Sequence, residues 1–468
     1  MRRESRQTRT RIAMGIALMA LALFPVIYLH DVVESGAAAA AAQYFPSGMI
    51  ITDGPTGGDC TLAGTWDAST SSCTLTTDLV MSAGTGIQIK ADGITLDGNG
   101  HALGGSGGDG VYFSGRTGVT VRNLSISGFS NGINADTSQG GTIAGNTTVN
   151  NDMLGINIGS SKGISVDGNH VDGNMMGVGL SASSGNTLSG NIVTNSMGGD
   201  GISLDHSDNN QLKGNSSNSN MGNGLCIDAY DNGNLLIDNS VSNNMGSGIF
   251  LHYSDGNTVT GNNSTSNQGD GISLDTSSNN TIFRNDFVSN APVQAVDYSG
   301  AGNIFNLPAP SGGNFWSDWT SPDSNSDGFV DSPYVFPGGQ DNLPWTTQDG
   351  WCGLPPDLAL SESRVYWASY SDYTGRLLSV DYHAHSSGDI FGLKLVGSTS
   401  SEGVSLATVM PDAAGNFTGA GTGAGVDAGF TLRYAVPAGV IAFQTTTYAT
   451  EENACGAAFD YPGPFPAS

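Results

Sequence analysis

Gly201-Ile202-Ser203-Leu204, Gly224-Leu225-Cys226-Ile227, Gly248-Ile249-Phe250-Leu251 and Gly271-Ile272-Ser273-Leu274 are one phrase, a glycine followed by an alternating apolar pair, written at intervals of 23, 24 and 23 residues. The same glycine stands at 86, 110, 132, 155 and 177, so the phrase occurs nine times at a nearly constant step. Self-similarity at a period of about 20 to 50 residues marks a solenoid, whose units bury their apolar sides only against neighbouring units. Apolar residues two apart make each opening segment a strand. A second short strand follows a run of Ser, Asn, Asp and Gly, near a turn asparagine that recurs at 146, 169, 191, 215, 239, 262 and 285. The polar stretches are too short, and too rich in Gly, Asn and Ser, to supply the roughly ten periodic residues of a helix. The predicted fold class is therefore all-β, a parallel β-helix with coils about 4.8 Å apart. Asparagine tolerates left-handed geometry and, stacked in register, can hydrogen-bond along the axis, so the column reads as architecture. Sequons such as Asn146-Thr147-Thr148 and Asn215-Ser216-Ser217 are then by-products of the repeat.

Outward from the repeats, residues 12 to 29 are almost wholly apolar and follow Arg2, Arg3, Arg6, Arg9 and Arg11. Residues 1–43 are expected to be a signal peptide or an N-terminal membrane anchor, which places the remainder in an extracellular, periplasmic or cell-surface setting. Lys and Arg number 15 against 42 Asp and Glu, a formal net charge of −27. Such a balance argues against nucleic acid as a partner, and against polyuronates, whose carboxylates call for Arg or Lys in the groove. Membrane contact is expected only through the leader. Five cysteines in an exported chain invite pairing, Cys60 with Cys73 and Cys352 with Cys455, leaving Cys226 as a free, shielded thiol. A solenoid needs its ends covered, so residues 44–80 are read as an N-terminal cap, 81–310 as the coils and 311–354 as a C-terminal cap. Past the Pro355-Pro356 linker, alternating runs over 377–382, 392–396, 430–434 and 440–443 make residues 355–468 a small β-sandwich.

The phrases Gly93-Ile94-Thr95-Leu96-Asp97-Gly98-Asn99-Gly100 and Gly256-Asn257-Thr258-Val259-Thr260-Gly261-Asn262, with the closing segments Gly313-Asn314-Phe315-Trp316-Ser317-Asp318-Trp319 and Asp327-Gly328-Phe329-Val330-Asp331-Ser332-Pro333-Tyr334, resemble the NosD-type periplasmic copper-binding family over residues 78 to 345. The resemblance implies a right-handed β-helix in an exported scaffold, with namesake members accessory to the maturation of a copper enzyme. No dense His/Cys copper motif accompanies it, so copper is not the cofactor expected from the residues. Pectate lyases, polygalacturonases and alginate epimerases share such repeats, which fix a fold and leave function open.

Three constellations carry candidate chemistry. Four residues after the repeat glycine stand Ser114, Asp136, Gly159, Ser181, Asp205, Asp228, His252 and Asp275. Stacking would align Asp205, Asp228, His252 and Asp275 as a catalytic column at about 4.8 Å intervals, near the roughly 5 to 5.5 Å of retaining glycosidases. His206, Tyr230 and Tyr253 would add ligand-binding groups and flat apolar faces for a sugar ring. The competing reading is that Asp and Ser after a strand cap their own turns, and a paired Asp-Asp with Gly-His-Gly or a basic triad is missing. In the second constellation, Asp323, Asn325, Asp327, Gly328 and the Phe329 carbonyl reproduce the first half of a calcium loop; Tyr334 stands where the bidentate acid would, so Asp331 would have to complete the shell, and Ca²⁺ is the expected cofactor, the alternative being a plain Asp/Asn-rich turn. The third is methionine: Met153, Met175, Met176, Met197, Met221 and Met245 lie just before the repeat glycines, at offsets drifting from one to four. Thioethers suit Cu(I), but the drift favours gap-filling at a corner.

These readings predict a binding or scaffold module for neutral glycans, or another cell-surface polymer, stabilised by calcium. The alternatives are a polysaccharide hydrolase or lyase using the Asp/His column, and copper handling of the NosD type.

Overall fold

The computed structural model describes residues 42–353 and, beyond them, the backbone of Ala359–Ala368, Arg376–Ser386, Ile390–Thr399, Ser405–Val409, Val426–Val436, Phe443–Glu452 and Ala458–Pro462. The expected leader lies outside the described residues save its last two positions, and Cys455, the expected partner of Cys352, also lies outside them. A right-handed parallel β-solenoid of about ten turns forms, as the repeats require. Its first sheet holds the glycine-led strands, from Met49–Ile51 to Ala295–Tyr298. A second runs from Gly64–Asp67 to Thr281–Phe283, and a third from Gln43–Phe45 to Phe315–Trp316. Each strand pairs in parallel with its counterpart one coil away; the exception is the antiparallel hairpin Gly64–Asp67 with Ser72–Leu75, which covers the N-terminal end. The C-terminal strands form two antiparallel sheets of three and four strands, where the sandwich was expected.

Inward side chains stack by kind. Val178, Ile202, Leu225, Ile249 and Ile272 lie one above another, none more than 1% exposed. Burying each such side chain contributes on the order of 2 kcal/mol, and the column repeats this at every rung. The repeat glycine is demanded by space. At Gly86, Gly132 and Gly271 an added Cβ would sit 2.5 Å from the carbonyl oxygen of the next coil. At Gly201 and Gly248 it would collide with the buried hydroxyls of Ser217 and Ser264, which donate to the Gly224 and Gly271 carbonyls at 2.7 and 2.8 Å.

The turn asparagines form an unbroken buried ladder. Each Nδ2 donates to the next Oδ1 at 2.9 to 3.0 Å, from Asn146 through Asn169, Asn191, Asn215, Asn239 and Asn262 to Asn285, and on to Asn314 in the closing motif. The left-handed conformation expected of these asparagines falls one residue earlier, on Gly145, Gly168, Gly190, Gly214, Asp238, Gly261 and Arg284. That preceding residue makes the bend, which leaves the amide free to point inward. Asn146 and Asn215 are 1% exposed, so their sequons are indeed by-products of the repeat. Two further ladders were not read from the sequence, through Asn220, Asn244, Asn267 and Asn290 and through Asn186, Asn210 and Asn234.

The first ladder ends on a carboxylate. Buried Asp341 accepts from the Asn314 amide at 2.7 Å, the Trp316 indole at 2.9 Å and the Leu343 amide at 3.0 Å. Burial pushes its carboxyl up to about 6 against the pull of these donors. Trp316 stacks between Phe287 and Tyr334, centroids 4.7 and 4.5 Å away, and plugs the end of the rod. At the other end, Cys60 and Cys73 are disulfide-bonded as expected.

Candidate functional site

The final residues of the first-sheet strands pair as the spacing predicts. Asp205 lies opposite Asp228, Asp228 opposite His252, His252 opposite Asp275, and Asp275 opposite Tyr298. His252 Nδ1 meets Asp228 Oδ1 at 2.6 Å, and its Nε2 stands 3.9 Å from Asp275 Oδ2. One imidazole thus stands between two carboxylates two rungs apart, while Asp205 and Asp228 are the adjacent acidic pair. His206 closes on Asp205 at 2.5 Å. All five side chains are between 31% and 59% exposed, so the column is open to a ligand.

Aromatic rings flank the column. Tyr253 lies 4.3 Å from the His252 ring and 6.0 Å from Tyr230, which is 6.0 Å from His206. His206 and Tyr253 take φ values of 53° and 49° at the corner after the strand. The coil between them carries one extra residue, and Ala229 and Tyr230 are left-handed in succession at 62° and 72°. A bulky residue held there costs roughly 1–3 kcal/mol. The insertion holds Tyr230 at 63% exposure.

The same insertion sets an unforeseen carboxylate beneath the column. Ser161, Ser183, Ser207, Ser254 and Ser277 form a buried ladder in which each hydroxyl accepts an amide from the coil before, and Asp231 takes the serine place between Ser207 and Ser254. Asp231 accepts from the Ser207 amide and, at 2.9 Å, from the Asp228 amide. Burial first, then the charges of Asp205 and Asp208, push its carboxyl up to about 7. The sequence signal was the six-residue step from Asp228 to Asn234, against five from Asp205 to Asn210 and from His252 to Asn257. Cys226 is buried and free, as expected, and burial with nearby Asp200 pushes its thiol well up.

The calcium-like loop is brought together only in part. Asp323 accepts from the amides of Asp327 and Gly328 at 3.2 and 3.0 Å, Asn325 bonds Asp327 at 2.8 Å, and Asp327 accepts from the Phe329 amide at 2.9 Å. Asp331 instead takes the Ser324 hydroxyl at 2.6 Å. Among the described residues no three His, Cys, Asp or Glu side chains gather closely enough to hold a metal.

The methionines do not fill gaps. Met153, Met175, Met197, Met221 and Met245 are 51% to 57% exposed. Met175, Met197, Met221 and Met245 each follow a ladder residue, Asn174, Ser196, Asn220 or Asn244, by one position. The Met197, Met221 and Met245 amides bond the carbonyls of Asn174, Ser196 and Asn220 at 2.8, 2.9 and 2.9 Å, so the four are in register. Corner length between methionine and glycine varies, and that variation produced the apparent drift. Soft thioether donors in consecutive rungs fit a soft cation such as Cu(I).

A family model described as periplasmic copper-binding protein (NosD) matches residues 71–239 and 199–321. No curated protein matches the chain. Among solved structures, the A-module of a mannuronan C-5 epimerase from Azotobacter vinelandii is 14% identical, with TM-score 0.39, over 57% of this chain and 86% of that one. A periplasmic alginate epimerase is 17% identical, with TM-score 0.29, over 49% of this chain; the chain spans 66% of it, just under two thirds. The Dettilon tailspike protein is 13% identical, with TM-score 0.34, over 84% of this chain and 90% of that one.

Proposed function

The chain belongs to the NosD family of periplasmic copper-binding proteins, and from that premise we propose that it is an exported or cell-surface β-helix whose first sheet binds an uncharged glycan along the stacked column. The observation that carries this reading is the vertical alignment of Asp205, Asp228, His252 and Asp275 beside exposed Tyr230 and Tyr253. Carboxylates accept hydrogen bonds from sugar hydroxyls, and the apolar face of a sugar ring packs on tyrosine. Between Lys162 and Arg284 the sequence offers one further cation, Lys213, so an anionic polymer would find little to pair with. The test is titration of the full chain with a panel of neutral polysaccharides. Tyr230→Ala with Tyr253→Ala should weaken binding at least about tenfold. Full affinity in that variant removes the reading.

A catalytic role is the second reading, favoured by His252 held between Asp228 and Asp275. An imidazole oriented by one carboxylate and facing another is suited to proton transfer at a glycosidic oxygen. New reducing ends or unsaturated termini that appear with the native chain, and vanish in Asp228→Asn while binding persists, would support a hydrolase or lyase. Calcium enters as a stabiliser through Asp323, Asn325 and Asp327, which converge on one turn. Melting should fall in EDTA and in Asp327→Ala; no shift in either removes the metal.

A further inference from the structure

We propose that Tyr112, Asn134 and Asn157 form a second sugar subsite on the outer face of the first sheet, so that one linear, uncharged glycan lies lengthwise across the coils from this subsite to Tyr230 and Tyr253. The inference rests on the glycan reading above and adds to it the class of ligand, a long polymer rather than a short saccharide or a chain end. Tyr112, Asn134 and Asn157 stand opposite one another in consecutive coils, and the same column continues through Gly179 and Ser203 up to Phe250. It runs two residues before the carboxylate column and shares its face, because side chains alternate along a strand. Phe250 stacks on His252 with ring centroids 5.7 Å apart, so this column leads into the site already described.

Asparagine is a poor strand former, so two of them in mid-strand need a reason. The buried ladder asparagines have one, because they bond the backbone of neighbouring coils: Asn146 donates to the Val121 carbonyl at 2.9 Å and accepts from the Leu124 amide at 3.2 Å. Among the described residues, the Asn134 and Asn157 side chains bond no backbone group. Asn157 Nδ2 donates to Asn134 Oδ1 at 3.0 Å, Asn134 Nδ2 to Asp109 Oδ2 at 3.0 Å, and Asp109 Oδ1 accepts from Asn131 Nδ2 at 2.7 Å. A carboxylate only accepts, so Asp109 fixes which way both amides face. Each amide has two N–H groups and spends one on this chain, which leaves a donor on Asn134 and both a donor and the carbonyl on Asn157. Half-buried and held in one orientation, the pair can meet neighbouring hydroxyls of a sugar at small cost in side-chain entropy. Half-buried Tyr112 adds an apolar ring beside them.

The way to the other site is open. Between the two, the outward positions are Gly159 and Ser181 in the carboxylate column and Gly179 and Ser203 in its neighbour, so no side chain longer than serine's grows from either. Leu154 Cδ2 takes the space over Gly179, 2.4 Å from where a Cβ would lie, and gives this stretch an apolar floor. Asn157 stands three rungs below Cys226, about 14 Å, which is more than one sugar ring spans. Neither column carries Lys or Arg from Tyr112 to Phe250, so hydroxyls rather than acid groups are what the surface can recognise.

Calorimetric titration of the full chain with linear glucan, mannan and galactan oligomers, each as trisaccharide and octasaccharide, tests the subsite. In the series that binds, affinity should rise at least about tenfold from the shorter to the longer oligomer. Asn134→Ala with Asn157→Ala should remove that gain and leave trisaccharide affinity unchanged, whereas Tyr230→Ala with Tyr253→Ala weakens both. Asn134→Thr with Asn157→Thr, which keeps strand-forming residues, repeats the test if the alanine pair lowers the melting temperature. On the native chain, hydroxyl-radical footprinting should find Tyr112 protected by the octasaccharide and not by the trisaccharide. Binding of neither length in any series removes the glycan reading and this subsite with it. Equal affinity for both lengths, a gain that survives in the paired Asn variants, or an unprotected Tyr112 would each overturn the subsite alone.

Discussion

At the residue scale, the most consequential side chain is Asp231, a carboxylate in a serine ladder. Its folded value of about 7 stands above the ordinary range near 4, so the native state binds a proton that the unfolded chain has released. The stability it contributes is complete below about pH 4 and is lost as pH rises through about 7. Asp231→Ser restores the ladder residue. It should raise the melting temperature at pH 8, by an amount equivalent to about 2–4 kcal/mol, and flatten the decline between pH 4 and 7. Thermal melts across that range check it; an unchanged profile would mean the carboxyl is not held as described. Tyr230 is bound to the same insertion, and deleting Ala229 should relieve the strained corner, raise stability and weaken glycan binding together. The column itself was legible because a regular period makes vertical neighbours computable from residue numbers. Asp231 was not, because one extra residue breaks that regularity where it enters the ladder.

At the element scale, coils are joined by groups that tolerate almost no change. Gly248→Ala would drive a methyl into Ser264, and the surrounding backbone is pinned by parallel pairing on both sides. It should cost at least about 2 kcal/mol, measured by denaturant unfolding. Asn239 donates to the Leu212 carbonyl at 2.8 Å and to Asn262 at 2.9 Å, and accepts from Asn215 at 3.0 Å. Asn239→Leu strands several buried partners, each worth about 1–3 kcal/mol, and should unfold the neighbouring coils first, visible as local loss of hydrogen-exchange protection. Periodicity announced that a glycine and an asparagine recur, and that stacked asparagines can hydrogen-bond along the axis, but neither what the glycine avoids nor where the bend falls. The clash with the next coil, and the bend one residue before the asparagine, are set by how neighbouring turns meet. The methionine stripe shows the same limit: measured from the glycine it wanders, and measured from the ladder asparagine it is regular.

For the whole molecule, acidity and end closure act together. Buried Asp286, pushed up to about 7 chiefly by burial, and Asp341 at about 6 join Asp231 in holding protons that the unfolded chain lacks. Stability should therefore fall as pH climbs from about 4 to 7, the direction in which repulsion among the carboxylates also grows. Calorimetry across that span checks it, and a rising melting temperature would contradict it. Asp341→Ala removes the carboxylate that ends the ladder and should loosen the C-terminal coils ahead of the rest. From the sequence alone came the β-helix, its period, the first disulfide and the identity of the stacked column, because each follows from spacing along one dimension. Tertiary structure alone decided which corners are exposed, which carboxylates are buried, that Asp331 turns to Ser324 and that four methionines align. Those properties depend on the distance between coils and on what covers them, and residue order does not specify either.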